Sequence, residues 1–231
     1  NIIGSYNLLN SIKNLKTKHF LFASTSSVYG NNESKKFDEN MPCNSPISLY
    51  SATKKSVENI AHSYSYNFNI PITSFRFFTV YGPWGRPDMA LFKFVKAILE
   101  NKSIEVYNYG RMARDFTYID DLVESVVRLI KASPSKKIKI KNDSISKDAP
   151  FRVVNIGNQN VVPLMKYINE IENVLKKKAK KKFLPMQAGD VSYTMSDSSL
   201  LKRLTGFVPT TDIKIGIKKF CDWYKDFYKI N

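Results

Sequence analysis

A tyrosine and a lysine, Tyr50 and Lys54, have residue types and a spacing that suit catalysis. On an α-helix, side chains four residues apart lie on one face, one turn from each other. A lysine ammonium beside a phenol favours the phenolate, and a phenolate can act as a general base. The spacing alone is weak evidence, because tyrosine and lysine are both frequent in this sequence and a half-buried helix tyrosine is the ordinary alternative.

Hydroxyl side chains follow the strand that is predicted upstream of this pair. Residues 19–24 (HFLFAS) are a short apolar run, which predicts a strand buried on both faces of a parallel sheet. Thr25, Ser26 and Ser27 come directly after it. Because the carboxyl ends of parallel strands border the crevice in which α/β proteins bind ligands, these hydroxyls are candidate substrate contacts. Capping of the strand end and the turn is the alternative.

Two arginines downstream are candidate ligands for an anion. Arg86 lies in a loop over residues 79–91 that is rich in Gly, Pro and Trp, and such a loop favours a held geometry over a free surface arginine. Arg114 offers a planar fork of donors that suits phosphate oxygens. The net charge of +16, from 36 Lys+Arg and 20 Asp+Glu, would steer an anionic substrate towards both.

The elements that must position these groups alternate between helix and strand. Helices are predicted over 2–15 and 48–68, and strands over 19–24 and 71–77. This alternation predicts an α/β fold with a partial doubly wound parallel sheet of the Rossmann type.

The pattern changes after residue 78. We place a boundary there, between residues 1–78, which carry the sheet and Tyr50, and residues 79–231, mainly a smaller mixed α/β lobe for the substrate with some segments that return to the sheet. The further predicted elements are helices over 91–99, 164–177 and 212–228, a helix that Asp120 or Asp121 caps and that runs to Ile130, and strands over 104–107 and 151–157. Residues 131–150 are predicted to be a mobile insertion rich in Lys and Ser.

The composition argues against several classes of protein. With 43% hydrophobic residues the chain can form a core, and no apolar run approaches the ~18 residues of a membrane-spanning helix. The lysine-rich runs 136–147 and 176–182 are not interleaved with aromatic residues, so we expect a solvated surface and no nucleic acid as a partner. Cys43 and Cys221 lack metal-ligand spacing, so no metal site and a cytoplasmic location are expected.

Several motifs occur in an order that is typical of one known family. They are the strand end FASTSSVYG (22–30), the helix SLYSATKKSVE (48–58), the loop RFFTVYGPWGRPDMALFKF (76–94) and the segment YNYGRMARDFTYIDD (107–121). In this order the sequence resembles the extended short-chain dehydrogenases/reductases that act on nucleotide sugars, the NAD-dependent epimerase/dehydratase family. Within that family it is most similar to the UDP-glucuronate 4-epimerases, along almost the whole chain.

The resemblance implies a role for each candidate residue. Tyr50 would be the catalytic base with Lys54 as its partner, and both would contact the NAD cofactor together with Phe77. Thr25 would hydrogen-bond the reacting sugar hydroxyl. The implied substrate contacts are Ser26, Ser27 and Arg86 at the sugar carboxylate, Arg114 at the diphosphate, Asp190 at the uridine ribose, and Thr79.

The implied activity is NAD-dependent 4-epimerisation of a UDP-sugar through a 4-keto intermediate, with UDP-glucuronate and UDP-galacturonate as the expected pair. Ser26 and Ser27 stand where dehydrating or decarboxylating relatives carry an acid, which favours the epimerase. The alternatives are a UDP-sugar dehydratase or decarboxylase of the same family, an inactive fragment, and a basic protein that binds nucleic acid.

One part of the family's pattern is missing. Its members begin with a strand, a GxxGxxG turn and a helix whose N-terminus receives the NAD pyrophosphate, and the nine glycines of this sequence nowhere have that spacing. We therefore expect the first half of the doubly wound fold to be absent, in a fragment of a longer chain or in a truncated product, and NAD to bind poorly to this chain alone. For the intact enzyme, a homodimer through the helices near 1–15 and 48–68 and no membrane association are expected.

Overall fold

The structure, a computed structural model, describes residues 1–31, 36–135 and 140–230. Its helices are α1 (Ile2–Ile12), α2 (Leu49–Phe68), α3 (Ala90–Leu99), α4 (Ile119–Ile130), α5 (Leu164–Leu175), α6 (Ser199–Thr205) and α7 (Ile213–Phe227). Its strands are β1 (Phe20–Ala23), β2 (Ile72–Phe77), β3 (Thr79–Tyr81), β4 (Ser103–Val106), β5 (Ala113–Tyr118), β6 (Phe151–Ile156), β7 (Val161–Pro163) and β8 (Lys180–Phe183).

The main sheet has the strand order β1-β2-β6, and its strands run parallel. On one face it packs against α1 and α2, which contribute Leu9 and Ala61 to the core. On the other face it packs against α4 and α6, which contribute Leu129 and Leu201. A parallel sheet between two layers of helices is the doubly wound arrangement, so the predicted α/β fold class is confirmed.

Strand β1 lies at an edge of this sheet within the described residues, where it pairs with β2. Its side chains are half-buried or exposed, whereas those of β2 and β6 are almost all buried. The prediction of a strand buried on both faces is met only in part. Phe20 and Phe22 pack on one face and Leu21 on the other, but at the edge of the sheet these side chains are only half-buried.

Helix α2 begins at a capping box. The Ser48 hydroxyl accepts a hydrogen bond from Ser51 N at 3.1 Å, and the Ser51 hydroxyl accepts one from Ser48 N at 3.2 Å. These bonds satisfy backbone donors that have no partner within the helix. The helix ends at Asn69, which adopts the left-handed conformation with φ 51°. Tyr50 thus lies in the first turn, beside the residues that follow β1 and β2.

The remaining strands form two smaller sheets. In one, β3 pairs in parallel with β5, and β5 pairs antiparallel with β7; in the other, β4 pairs in parallel with β8. Helices α3, α5 and α7 enclose an apolar core around them, in which Phe116 stacks on Tyr167 with ring centroids 4.1 Å apart. The sequence prediction missed β3, β5, β7, β8 and α6.

Helix α4 differs from the prediction in its first turn. Its N-cap is Tyr118, which contributes no side-chain hydrogen bond, and Asp120 and Asp121 lie inside the helix. Asp121 instead holds a distant loop, because its Oδ2 accepts a hydrogen bond from Thr211 N at 2.8 Å. The prediction that one of these aspartates caps the helix is wrong.

The described part of the Lys/Ser-rich insertion packs on the main sheet. Asp143 accepts hydrogen bonds from Arg152 Nε at 2.8 Å and from Arg152 Nη2 at 2.9 Å, and both side chains are at most 5% exposed. Arg152 also donates to Ala132 O at 2.9 Å. A buried bidentate ion pair therefore ties residues near 143 to β6, against the prediction of a mobile segment. Residues 136–139 of the insertion lie outside the described residues.

The second lysine-rich run, residues 176–182, makes specific contacts. The buried Glu172 carboxylate accepts hydrogen bonds from Lys178 Nζ, at 3.1 Å, and from Lys181 Nζ. Lys177 Nζ donates to Leu99 O at 2.9 Å. Lys181 therefore ties β8 to α5, and Lys177 ties the residues after α5 to the end of α3. In the described ranges, no helix is long and apolar enough to cross a membrane.

Candidate active site

Three adjoining cavities form a cleft at the carboxyl ends of β1 and β2. The strand-end cavity, about 350 Å³, is bordered by Tyr50 and Phe77. The central cavity, about 390 Å³, also borders Tyr50. The outer cavity, about 640 Å³, is bordered by Tyr107 and Gln187. Thr79 and Met89 border all three, so the cavities lie side by side.

The central cavity brings together most of the residues that the sequence analysis singled out. The predicted residues that line it are Thr25, Ser26, Ser27, Tyr50, Thr79, Arg86, Arg114 and Asp190. Phe77 lines the adjoining strand-end cavity, and Lys54 lies one turn beyond Tyr50 on α2. Met89, Val191 and Thr194 also line the central cavity, and no pattern in the sequence marks them. The structure thus places these side chains around one cavity, and the role of each residue stays a prediction.

Lys54 joins α2 to the end of β1. Its ammonium donates a hydrogen bond to Ala23 O at 2.9 Å, and partial burial lowers the pKa of the Lys54 ammonium from its ordinary value. A lysine ammonium has three donors, so this bond leaves two for other partners. Tyr50 is 50% exposed and borders two of the cavities, where a ligand could reach its hydroxyl.

Thr25 begins the short turn that presents the hydroxyl side chains. Its Oγ1 accepts a hydrogen bond from Ser27 N and donates one to Ser27 Oγ, both at 3.1 Å. The turn ends at Gly30, whose φ is +64° and where an added Cβ would lie 2.3 Å from Ser45 O, so this position requires glycine. Thr25 therefore caps the turn and also borders the cavity, so a capping role and a role in substrate contact are compatible.

Arg86 approaches the central cavity from an exposed loop. Its side chain is 74% exposed, and its Nη2 pairs with Asp88 Oδ2 at 3.1 Å. The loop is anchored by Trp84, which has φ 61° and packs against Trp223 with ring centroids 5.3 Å apart. The contact of Trp84 supports the loop, but the Arg86 guanidinium itself is a mostly exposed group paired with Asp88, so the held geometry predicted for this arginine is not seen.

Arg114 and Asp190 are direct partners at the junction of the central and outer cavities. Arg114 Nη2 donates to Asp190 Oδ1 at 2.8 Å and also to Val191 O. Burial lowers the pKa of the Arg114 guanidinium, and the Asp190 carboxylate opposes that shift. Arg114 Nη1 also donates to Ala113 O at 3.3 Å. Arg114 lines both cavities, and the N–H donors that these three bonds leave unused suit phosphate oxygens.

Sequence reasoning missed a buried polar network behind Tyr50. Glu58, 2% exposed, accepts hydrogen bonds from Ser24 Oγ at 2.7 Å and from Arg76 Nε at 3.0 Å. The Arg76 guanidinium also lies 4.7 Å from the centroid of the Tyr29 ring. A signal for this network was present, because Glu58 follows Tyr50 by two helical turns on the same face, and a carboxylate on a buried face requires partners.

The chain has a parallel doubly wound sheet, and the helix with Tyr50 and Lys54 is bonded to a strand end that is followed by hydroxyl side chains. This combination defines the short-chain dehydrogenase/reductase class of α/β proteins. The sequence profile of the NAD dependent epimerase/dehydratase family matches residues 1–142. The chain belongs to that family, and the resemblance that its motifs indicated is confirmed.

Individual relatives agree with this assignment. An uncharacterised protein of Escherichia coli O111:H- is 50% identical over 233 residues, which cover 100% of this chain and 70% of that protein. A Rhizobium meliloti (strain 1021) protein, named as a probable UDP-glucuronate 4-epimerase, is 49% identical, with 99% of this chain and 68% of that protein covered. The solved UDP-glucuronic acid 4-epimerase from Bacillus cereus, in complex with UDP-glucuronic acid and NAD, has a TM-score of 0.86 and 34% identity, with 98% of this chain and 68% of that chain covered.

Proposed function

We propose that this chain carries the catalytic and nucleotide-sugar-binding part of an NAD-dependent UDP-sugar 4-epimerase, with UDP-glucuronate as its substrate. The observation that carries the proposal is the convergence of Tyr50, the hydroxyls of residues 25–27 and two arginines on one cavity. The Rhizobium meliloti relative and the Bacillus cereus structure, both named for UDP-glucuronate, support the choice of sugar.

Tyr50 is the general base of the proposed reaction. Its phenolate takes the proton of the sugar 4-hydroxyl and returns it after the oxidised sugar has turned over in the cavity. Thr25, which borders the same cavity, hydrogen-bonds that hydroxyl. NAD, when bound, supplies the acceptor and the donor of the C4 hydride. The Lys54 ammonium, held in place by Ala23 O, stabilises the phenolate.

The residues present fit the nicotinamide end of NAD. Phe77 and Phe78 line the strand-end cavity beside Tyr50, and such a cavity suits a flat aromatic ring. Lys54 keeps two ammonium donors for ribose hydroxyls after its bond to Ala23. The glycine-rich turn for the pyrophosphate does not occur in these 231 residues, so the proposed activity needs a segment that supplies one.

The sugar carboxylate sets the main hazard of this reaction, because the 4-keto form of a uronate is a β-keto acid and loses CO2 readily. We assign the carboxylate to Arg86, Ser26 and Ser27, which border the central cavity. Held there, it can be kept out of the orientation that favours cleavage. Ser26 and Ser27 also leave no carboxylic acid next to Thr25, which favours epimerisation over dehydration or decarboxylation.

The nucleotide end of the substrate is assigned to the outer part of the cleft. Arg114 binds the diphosphate with the donors that Asp190, Val191 O and Ala113 O leave unused. Asp190 binds the uridine ribose. The Asp190 carboxylate must then accept hydrogen bonds from both Arg114 and a ribose hydroxyl. Thr79, which borders all three cavities, is placed between the sugar and the diphosphate.

The test uses a completed chain, in which a segment with the family's GxxGxxG turn is joined before Asn1. With NAD and UDP-glucuronate, this completed chain should form UDP-galacturonate, seen by NMR as a new sugar of unchanged mass. A main product lighter by CO2 would favour the decarboxylase, and one lighter by water the dehydratase. Faster turnover of UDP-glucose than of UDP-glucuronate would remove the argument for a carboxylate site.

We also propose a homodimer through α1 and α2. These helices expose large apolar side chains, with Ile3 76%, Leu49 82% and Tyr66 61% exposed. Helices α1 and α2 pack against each other, and exposed large apolar side chains on this pair support an interface there. Sedimentation of the completed chain should give a dimer, and Ile3→Asp should shift it to a monomer. A wild-type protein that sediments as a monomer at micromolar concentration would contradict this assignment.

A cytoplasmic location and the division of the chain near residue 78 are likewise proposals. The two free, buried cysteines, Cys43 and Cys221, support a reducing compartment. Cell fractionation should recover the protein with cytosolic markers, and calorimetry should resolve two unfolding transitions if the division is correct.

A further inference from the structure

Glu58 connects the helix of the proposed catalytic residues to the ends of two strands. Its Oε1 accepts hydrogen bonds from Ser24 Oγ at 2.7 Å and from Arg76 Nε at 3.0 Å. Its Oε2 accepts from Arg76 Nη2 at 2.9 Å and from Lys55 Nζ at 3.2 Å. The carboxylate therefore joins α2 to the residue after β1 and to β2, in a site where its side chain is 2% exposed.

Two contacts fix α2 to consecutive residues beside the cleft. Lys54 Nζ bonds to Ala23 O, and one helical turn later Glu58 bonds to the Ser24 hydroxyl. The next residue along the chain is Thr25, which borders the central cavity together with Tyr50. The position of Tyr50 relative to Thr25 is thus set by this pair of bonds across two turns of the helix.

The direction of the Ser24 bond is fixed by charge. Burial raises the pKa of Glu58, but its hydrogen bonds and ion pair with Arg76 outweigh that effect, so the pKa of Glu58 lies below its ordinary value. An ionised carboxylate accepts hydrogen bonds and cannot donate them. The Ser24 proton is therefore directed at Glu58, and Ser24 serves to hold α2 and not to donate to a ligand.

We infer that Glu58 is a positioning residue for Tyr50 and Lys54, and that it sets the distance of the base from the Thr25 hydroxyl. This inference rests on the proposed 4-epimerase function. Proton transfer is steeply sensitive to such distances, since a displacement of about 1 Å at the reacting groups can cost ~10²-fold in rate. Substrate affinity depends on Arg86 and Arg114, which are not part of this network, so it should be little affected.

The chain contains a matched control for a purely structural role. Asp143 and Arg152 form a second bidentate ion pair, with side chains 5% and 2% exposed against 2% and 3% for Glu58 and Arg76. Arg152 pairs in register with Thr73 near the start of β2, whereas Arg76 lies near its end beside the cleft. Loss of either carboxylate leaves a buried arginine unpaired, which destabilises the fold.

The test compares Glu58→Gln with Asp143→Asn in the completed chain. Both variants should unfold at lower temperature than the wild type. Glu58→Gln should lower kcat by ~10²-fold, with a KM for UDP-glucuronate within about threefold of wild type, and should raise the isotope effect on kcat with substrate deuterated at C4. Asp143→Asn should keep the wild-type kcat and isotope effect. Equal kcat values for the two variants would overturn the inference.

A second variant covers the case in which Glu58→Gln does not fold. Ser24→Ala removes one hydrogen bond and keeps the ion pair, so it should fold and lower kcat by about tenfold without a change in KM. A Ser24→Ala protein with the wild-type kcat would contradict the inference. Absence of any UDP-glucuronate turnover by the wild-type completed chain would instead overturn the proposed function, and this inference with it.

Discussion

Replacement of Arg86 by alanine tests the assignment of the sugar carboxylate. The Arg86 side chain is 74% exposed and pairs with Asp88 at 3.1 Å. Solvent screening therefore weakens its interaction with a substrate carboxylate, and the ion pair with Asp88 has to break when that substrate binds. A hydrogen bond to a charged group is worth ~1.5–3 kcal/mol when shielded, and an exposed ion pair ~0–1 kcal/mol. A bound sugar would cover the guanidinium partly, so we expect about 1.4 kcal/mol, which is about tenfold in kcat/KM.

The assay measures kcat/KM of the completed chain for UDP-glucuronate and for UDP-glucose. Arg86→Ala should lower the first by about tenfold and leave the second unchanged, since a neutral hexose has no carboxylate to lose. Asp88→Ala is the matched control, because it removes the competing partner of Arg86 and should keep or increase the preference for the uronate. Equal losses for the two substrates would refute the reasoning, as they would show that Arg86 acts on the loop and not on the carboxylate.

Three further predictions concern other parts of the chain. Tyr50→Phe should lower kcat by ~10²–10⁴-fold with little change in KM, as steady-state kinetics of the completed chain would show; an unchanged rate would place the base elsewhere. Calorimetry on the 231-residue chain should detect UDP but no NAD at micromolar concentration, and Arg114→Ala should weaken UDP binding at least tenfold; tight NAD binding would mean that the cofactor site is misplaced. Burial raises the pKa of Glu39 to about 7 from an ordinary 4.5, so its contribution to stability is full below about pH 4.5 and is lost as pH rises through about 7. Glu39→Gln should remove that loss in urea denaturation at pH 5 and pH 8, and an unchanged pH dependence would contradict the shift.

The parts of the site that the sequence predicted depend on local rules. Tyr50 and Lys54 lie on one helical face because of their spacing, and Thr25 lies at the cleft because it follows a parallel strand. Such rules need no knowledge of distant residues. The doubly wound sheet was predicted for the same reason, since apolar runs alternate with amphipathic helices over the first 77 residues of the chain.

The parts that could not be predicted depend on contacts between distant residues. Arg114 and Asp190 are 76 positions apart, and nothing local indicates that they pair. Strand β5 was missed because charged residues occupy its first half, and their partners are equally distant. Asp115, fully buried there, accepts hydrogen bonds from Asn158 N at 2.8 Å and from Ser196 Oγ at 2.6 Å. A buried aspartate with these partners looks, in the sequence, like a residue of a loop.

The fate of the hydrogen at C4 tests the central claim most directly. The completed chain is given UDP-glucuronate deuterated at C4, and the product is examined by NMR and mass spectrometry. We expect UDP-galacturonate that retains deuterium at C4, because the same hydride leaves and returns within one site. The Tyr50→Phe variant should form no product on the same timescale. A product that has lost the label to solvent, or a product that has lost CO2, would contradict the claim.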